Sequence, residues 1–213
     1  MEETFTLSKN YAIGTSLTVL DSIHEVDTNI AIYKRNIVCL SDEIESLLSF
    51  DVDVKATGDL QAIEEVVSQA LDASKFGKII ADVKGLLQVF SNVAGAESYR
   101  LFLGTVNTNM CRKFHTDIND LRMLCTYIGP GTLWLKEDNI NRRALVSSSS
   151  QDEDIVVNQN EIQQVEAGSA LILKGAIYPK EGTRAIVHRS PTVEESGERR
   201  LLLRIDTNEF LNF

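Results

Sequence analysis

The feature that most constrains this chain is a change of apolar periodicity near Gly95. Before it, apolar residues recur at helical spacing. From Asp59 on, Leu60, Ile63, Val67, Ala70 and Leu71 fall on one helical face. Phe76, Ile79, Ile80, Val83, Leu87, Phe90 and Ala94 then recur three and four residues apart, and Gly95 supplies a stop. Ser41 can cap a further helix to about Phe50, with Asp42 and Glu43 in its first turn. Residues 30–35 read as one short strand. After Gly95 the segments 99–106, 121–128, 169–173, 184–187 and 200–205 are short and rich in branched or aromatic residues. Turn residues such as Gly129-Pro130-Gly131 separate them, and 147–154 read as a polar loop. Strands with no helical spacing between them predict an antiparallel sandwich or barrel, not βαβ units. The expected class is α+β: a mainly helical part over 1–96 and a β part over 97–213, forming one compact unit.

Charge divides at the same place. The first 96 residues carry 15 acidic and 7 basic side chains; the remainder carry 16 and 14. Ten of the 11 arginines lie in the second part. Arginine holds planar anions through paired N–H donors, so an anion site is expected there. The net charge of −10 argues against binding nucleic acid through its phosphates. Three scattered cysteines exclude a disulfide scaffold and suggest a reducing compartment. Cys39 is expected to be a buried small apolar residue. No segment approaches the roughly 18–20 uncharged apolar residues of a membrane helix, and the start Met1-Glu2-Glu3 has no leader character. The expectation is a cytoplasmic protein with no membrane or nucleic-acid partner.

Of three histidines, His24 sits in a polar stretch and reads as a surface or boundary residue. His115 lies in Cys111-Arg112-Lys113-Phe114-His115-Thr116-Asp117. Residues two apart on an extended chain point to the same side, so His115 and Asp117 can reach one ion. His188 ends an apolar stretch 73 residues later. Two histidines and one carboxylate make a facial triad that holds a metal and leaves positions open. The bland alternative is that Asp117 caps a turn and both histidines are satisfied boundary residues.

Residues 97–206 resemble the double-stranded β-helix, a cupin-like jelly roll, of Fe(II)- and 2-oxoglutarate-dependent oxygenases, particularly the prolyl hydroxylase branch. The likeness rests on His115-x-Asp117, on Tyr127 before Gly129-Pro130-Gly131, on Gly168 before the apolar run 169–173, and on His188 with Pro191, Val193 and Gly197-Glu198-Arg199. It implies Fe(II) on His115, Asp117 and His188. It implies a basic anchor for 2-oxoglutarate at Arg199, with Arg200 as the alternative because one residue of register decides which faces inward. Tyr127 would hydrogen-bond the same co-substrate. The last strand departs from the family pattern, with Leu201 and Leu202 where many oxygenases carry Ser or Thr. More narrowly, Cys-Arg-x-Phe-His-x-Asp, Gly-Pro-Gly-Thr-x-Trp-Leu, Leu-Lys-Gly and Val-His-Arg-Ser-Pro, followed by Arg-Arg-Leu, resemble a bacterial domain of unknown function, number 1826. Its association with zinc-responsive gene neighbourhoods implies, as an alternative, a non-catalytic metal-binding protein of zinc homeostasis.

Other readings stay open at this level. Cys111, His115, Cys125 and His188 could form a Cys2His2 zinc site, with Zn in place of Fe(II). A thiol–imidazole pair is conceivable. Arg112, Lys113 and Arg189 flank the motif and could attract an anion. A third possibility is an interaction module that binds no metal. The substrate, a small molecule or a protein, and the oligomeric state carry no sequence signal.

Overall fold

The computed structural model describes residues 5–8 and 10–207, with side-chain surroundings from Asn10 onward. The stretch read for a leader, 1–4, and the end of the β part, 208–213, lie outside the described residues. Helix and sheet are mixed around one large sheet. Its strands are β1 (Phe5–Ser8), β2 (Asn10–Gly14), β3 (Thr28–Tyr33), β4 (Asp53–Gly58), β5 (Tyr99–Val106), β6 (Leu121–Ile128), β9 (Ala170–Lys174) and β11 (Arg200–Thr207). They run in the order β1-β2-β3-β9-β6-β11-β5-β4. A small second sheet joins β10 (His188–Arg189), β7 (Leu133–Trp134) and β8 (Gln163–Gln164) in that order.

Four strands of the large sheet come from residues before 96 and four from residues after, so the change of periodicity divides the chain but not the sheet. The sequence predicts one strand in the first part; the structure has four. Strand β4 shows why they are easily missed. Val54 and Ala56 alternate with exposed residues, but only two apolar side chains mark the period of two. Strands β2 and β3 are parallel, and a 3-10 helix over Leu17–His24 makes the crossover between them.

The helices are α1 (Ser41–Leu48), α2 (Leu60–Ala70) and α3 (Ala73–Ala94). Asp59 caps α2 by accepting from Ala62 N, and Gly95 ends α3 at φ 64°. Ser41 is the first residue of α1 rather than its cap, and its hydroxyl donates to the Val38 carbonyl. Backbone at Phe76 breaks the helical path of α3. Just beyond, the Glu43 carboxylate of α1 accepts from Lys78 N and Ile79 N, as an anion should at a helix start. The predicted stripes, with Ile63, Val67, Ile79, Val83, Leu87 and Phe90, form one buried cluster with Leu101, Met123, Leu201, Leu203 and Ile205 of the sheet. The opposite face of the sheet buries Ile30, Ile32, Leu124, Leu171 and Leu202 with Trp134 of the small sheet.

A polar tie crosses the helix layer. Arg35 forms a bidentate pair with Asp82 of α3, at 2.5 and 3.0 Å, and also donates to the Gly168 carbonyl. Tyr127 of β6 donates to the same carboxylate at 2.7 Å. Asp82→Ala is expected to cost about 3–5 kcal/mol of unfolding free energy, because it leaves a largely buried guanidinium without its counter-charge. Urea denaturation measures this; a loss below about 1 kcal/mol would contradict it.

Lys174, at the end of β9, is 1% exposed. Its ammonium donates to the Glu25 carbonyl and lies 4.8 Å from the Tyr178 ring centroid. Burial and the nearby Lys180 charge push its pKa down to about 8. The unfolded chain, with an ordinary lysine near ~10.4, therefore binds more protons between about pH 8 and 10.4. Stability relative to Lys174→Met should rise across that window, and a flat difference would refute the assignment.

Two segments depart from expectation. Residues 184–187 are not a strand: the two-residue edge of β7 offers a ladder partner only to His188 and Arg189. The polar stretch 147–154 contains the start of α5 (Asp152–Ile155), which follows α4 (Arg142–Leu145). Acidic side chains favour a helix N-terminus, and Asp154 accepts from Gln151 N. Cys39, expected to be buried, is exposed. No helix among the described residues is long and apolar enough to cross a membrane.

Candidate metal centre

His115 and His188 meet through the backbone. They form an antiparallel bridge in which each N–H donates to the other's carbonyl at 3.0 Å. The bridge extends the ladder in which His188 faces Trp134. Asp117 is held from the other side. After β9 the chain turns back, and Ala176 N donates to Asp117 O, Ile177 N to Asn119 O and Gly175 N to Asp120 O. Gly175 permits this approach, since a Cβ there would lie 2.0 Å from the Asn119 carbonyl oxygen. Gly175→Ala should displace the Asp117 segment and lower metal affinity by about 10–100-fold, the range seen when groups that orient ligands are lost. Unchanged metal affinity, measured by competition with a chelating dye, would refute this role.

The donor atoms of His115, Asp117 and His188 all lie within 4.8 Å of one another. His115 Nε2 is 3.4 Å from Asp117 Oδ1, and His188 Nε2 is 3.3 Å from Oδ2. Both Nδ1 atoms face backbone carbonyls, of Lys113 at 2.9 Å and of Ile186 at 3.4 Å. Nδ1–H donation to those carbonyls aims both Nε2 atoms at the carboxylate, so a metal bound there would take the place of the hydrogens that join them to it. The donor set therefore fits a divalent metal by chemistry and by convergence.

Around it the charges interlock. Arg122 of β6 binds Asp117 Oδ2 at 2.5 Å and Asp206 of β11 at the same distance. Burial would push Asp117 up, but hydrogen bonds from His115 and His188 and the Arg122 charge outweigh it and hold the carboxyl well below the usual range. The hydrogen bond to Asp117, helped by one to Cys111, raises His115 to about 10. The Cys111 thiol is lowered by its hydrogen bond to His115.

Period-two alternation sorts the remaining candidates. On β11, Leu201, Leu203 and Ile205 join the helix-side cluster; Leu202 joins the opposite layer, and Arg200 and Arg204 line the cavity beside His115 and His188. On β6, Arg122 and Leu124 line that cavity, while Met123, Cys125 and Tyr127 face the helices. A β-bulge between β6 and β11 leaves Tyr127 without a partner, because Leu201 faces Ile128 and Leu202 faces Thr126.

Arg200 is thus the inward arginine, 1% exposed. It donates to Thr126 Oγ1 at 3.0 Å, its Nε has no partner, and it makes no ion pair among the described residues. Burial alone lowers it to about 10. Arg199, the first choice by motif position, lies elsewhere. It donates to the Leu48 carbonyl at the end of α1 and pairs with Asp51. Tyr127 is spent on Asp82. Cys125 faces Arg35, and burial pushes its thiol up to about 11. The Cys2His2 arrangement is therefore not assembled: Cys111 stands beside His115, and Cys125 lies on the other face of the sheet. Arg189 lines the cavity, paired with Asp152 and stacked over Phe114. Arg112 is on the surface with Glu194.

The sequence reading overlooked Arg122, Asp206, Thr126 and Arg204. Their signal was their position an even number of residues from Arg200 on β11 or from each other on β6. The cavity is small, about 50 Å³. It shares Met110 and Arg204 with an adjoining cavity of about 330 Å³ that also holds Phe102 and Lys55.

A model of the family described as Protein of unknown function (DUF1826) matches residues 14–206. No curated protein matches the chain. Among solved structures, the 2-oxoglutarate binary complex of the dioxygenase for auxin oxidation 1 from Arabidopsis thaliana aligns with a TM-score of 0.55 at 8% identity. It covers 94% of this chain and 92% of that one. The Fe(II)/(alpha)ketoglutarate-dependent dioxygenase TqaL aligns with a TM-score of 0.50 at 11% identity, covering 89% and 85%. At these identities the likeness is one of fold.

Proposed function

The chain belongs to the protein family of unknown function DUF1826, and for this member we propose a non-haem iron(II)- and 2-oxoglutarate-dependent oxygenase built on a double-stranded β-helix, with the N-terminal helices packed on its large sheet. One observation carries the reading. A buried arginine with no counter-charge among the described residues, Arg200, lines one small cavity with His115 and His188, the two histidines of a converging His-Asp-His donor set. An unpaired buried cation is costly unless an anion joins it.

His115, Asp117 and His188 would hold iron(II), and Arg200 with the Thr126 hydroxyl would hold the far carboxylate of 2-oxoglutarate. Bound there, the pair would supply the oxidation: one atom of O2 enters 2-oxoglutarate as it loses carbon dioxide to become succinate, and the other enters an organic substrate. The protein's own contributions are positional. The Lys113 and Ile186 carbonyls orient the two imidazoles. Arg122 fixes the Asp117 carboxylate, and the apolar side chains of Leu124 and Leu202 keep the arginine side of the cavity dry.

Anaerobic addition of iron(II) and then 2-oxoglutarate should produce a visible charge-transfer band. Tight stoichiometric zinc with no band would replace this reading by the second one, a metal-binding protein of zinc homeostasis. The observation that favours zinc is the Cys111 thiol beside His115, a softer donor than iron(II) oxygenases need.

A further inference from the structure

The metal cavity borders the cavity of about 330 Å³ with which it shares Met110 and Arg204. That volume lies near the lower end of the range for small-molecule sites, about 300–1,000 Å³. Its floor is a row of side chains running across the sheet. Lys55 of β4 faces Phe102 of β5, and Phe102 faces Arg204 of β11. Residues directly opposite on neighbouring strands share one face, so two cations flank one ring. The Lys55 ammonium lies 5.9 Å and the Arg204 guanidinium 5.7 Å from the ring centroid. The ring lies over Gly104, where a Cβ would collide with it. Val106 and Met110 extend the apolar wall.

Neither cation is fully matched. The Arg204 side chain is 35% exposed and makes no hydrogen bond among the described residues. Asp206 Oδ2 lies 3.2 Å from its Nε, but Asp206 is already bound by Arg122. Arg122 in turn spans Asp206 and Asp117. With Asp117 serving as a metal ligand, Asp206 is left to balance both Arg122 and Arg204, so one positive charge beside this cavity is unmatched. Lys55 is paired with Asp53 alone among the described residues, and both side chains are open to solvent. Such an exposed pair is weak and readily exchanged for another anion. A surplus of one charge suits a carboxylate better than a phosphate dianion.

We propose that this cavity takes the organic substrate of the oxygenase, and that the substrate is a monocarboxylic acid with an apolar body. Arg204 would hold its carboxylate, with Lys55 as the second cation. The body would lie against Phe102, Val106 and Met110. The inference rests on the oxygenase reading and names the substrate class of that same site.

Full-length protein loaded anaerobically with iron(II) and 2-oxoglutarate is titrated, by calorimetry, with 3-phenylpropanoate, with hexanoate and with the neutral 3-phenylpropanamide, and the charge-transfer band is recorded alongside. Saturable binding of at least one acid is expected, with the amide about tenfold weaker or more. The bound acid should also shift the band, because its site borders the metal cavity. Arg204→Met should weaken acid binding about tenfold, the loss of a charge-assisted hydrogen bond. Lys55→Met should weaken it about threefold and Asp53→Asn strengthen it about twofold, both effects being screened by solvent. No saturable binding of either acid, equal binding of the amide, an unshifted band, or unchanged affinity in Arg204→Met and Lys55→Met would overturn the inference. A band that forms in protein binding neither acid would overturn this inference alone. Absence of the band would overturn the oxygenase reading, and with it the acid's role as a substrate.

Discussion

Asp117→Ala is expected to abolish stoichiometric metal binding, with affinity falling by more than about 100-fold, beyond the 10–100-fold cost of losing groups that only orient ligands. The carboxylate is the one atom group that both Nε2 atoms approach, at 3.4 and 3.3 Å. The same change should destabilise the metal-free protein by about 1–3 kcal/mol, because Arg122 loses one of its two carboxylate partners and the buried His188 Nε2 loses the carboxylate it faces. Asp117→Asn separates the two effects: it keeps the shape of the site and removes the charge that balances the metal. Elemental analysis of purified variants and urea denaturation of the stripped proteins read the two quantities independently. Full metal content in Asp117→Ala would remove the metal centre from consideration, and with it the oxygenase reading.

Replacing Arg200 with leucine should weaken 2-oxoglutarate binding by about 30-fold or more, since loss of one partner of a buried charge pair costs roughly 2–5 kcal/mol. Arg199→Ala should leave that affinity within about twofold, because Arg199 is occupied by Asp51 and the Leu48 carbonyl. Stability should move the other way from affinity. A guanidinium that is 1% exposed, with an unpartnered Nε and no carboxylate partner among the described residues, is a cost in the free protein. Arg200→Leu should therefore match or exceed the wild type in melting temperature while losing the ligand. Titration of the charge-transfer band against 2-oxoglutarate, beside a thermal melt, tests both. An Arg200→Leu variant that binds 2-oxoglutarate normally would show that the cavity arginine is not the anchor.

Local spacing alone identified much of this molecule. The stripes of α2 and α3 repeat at three and four residues over many turns, which only a helix satisfies. Strands β5 and β6 fall within their expected bounds because branched and aromatic residues run uninterrupted between turns. The metal donors were legible because His115 and Asp117 are two apart on extended chain and the histidine inventory leaves few partners. The N-terminal strands were not, because β2 and β4 carry few apolar residues and owe their existence to neighbours far along the chain.

What sequence could not settle was side. Tyr127, Cys125 and Arg199 satisfy the motif by position yet face away from the cavity, while Arg200 lines it and bonds Thr126, and Arg122 ties Asp117 to Asp206. In a strand, one residue of register turns a side chain through the sheet. The pairing of β11 with β5 and β6 sets that register, and the bulge opposite Tyr127 shifts it again. The residue types and their spacing thus determined that a metal and an anion could be held here. Which arginine faces the cavity was decided by long-range strand pairing, because the two faces of a sheet are chemically distinct and adjacent residues of a regular strand lie on opposite ones.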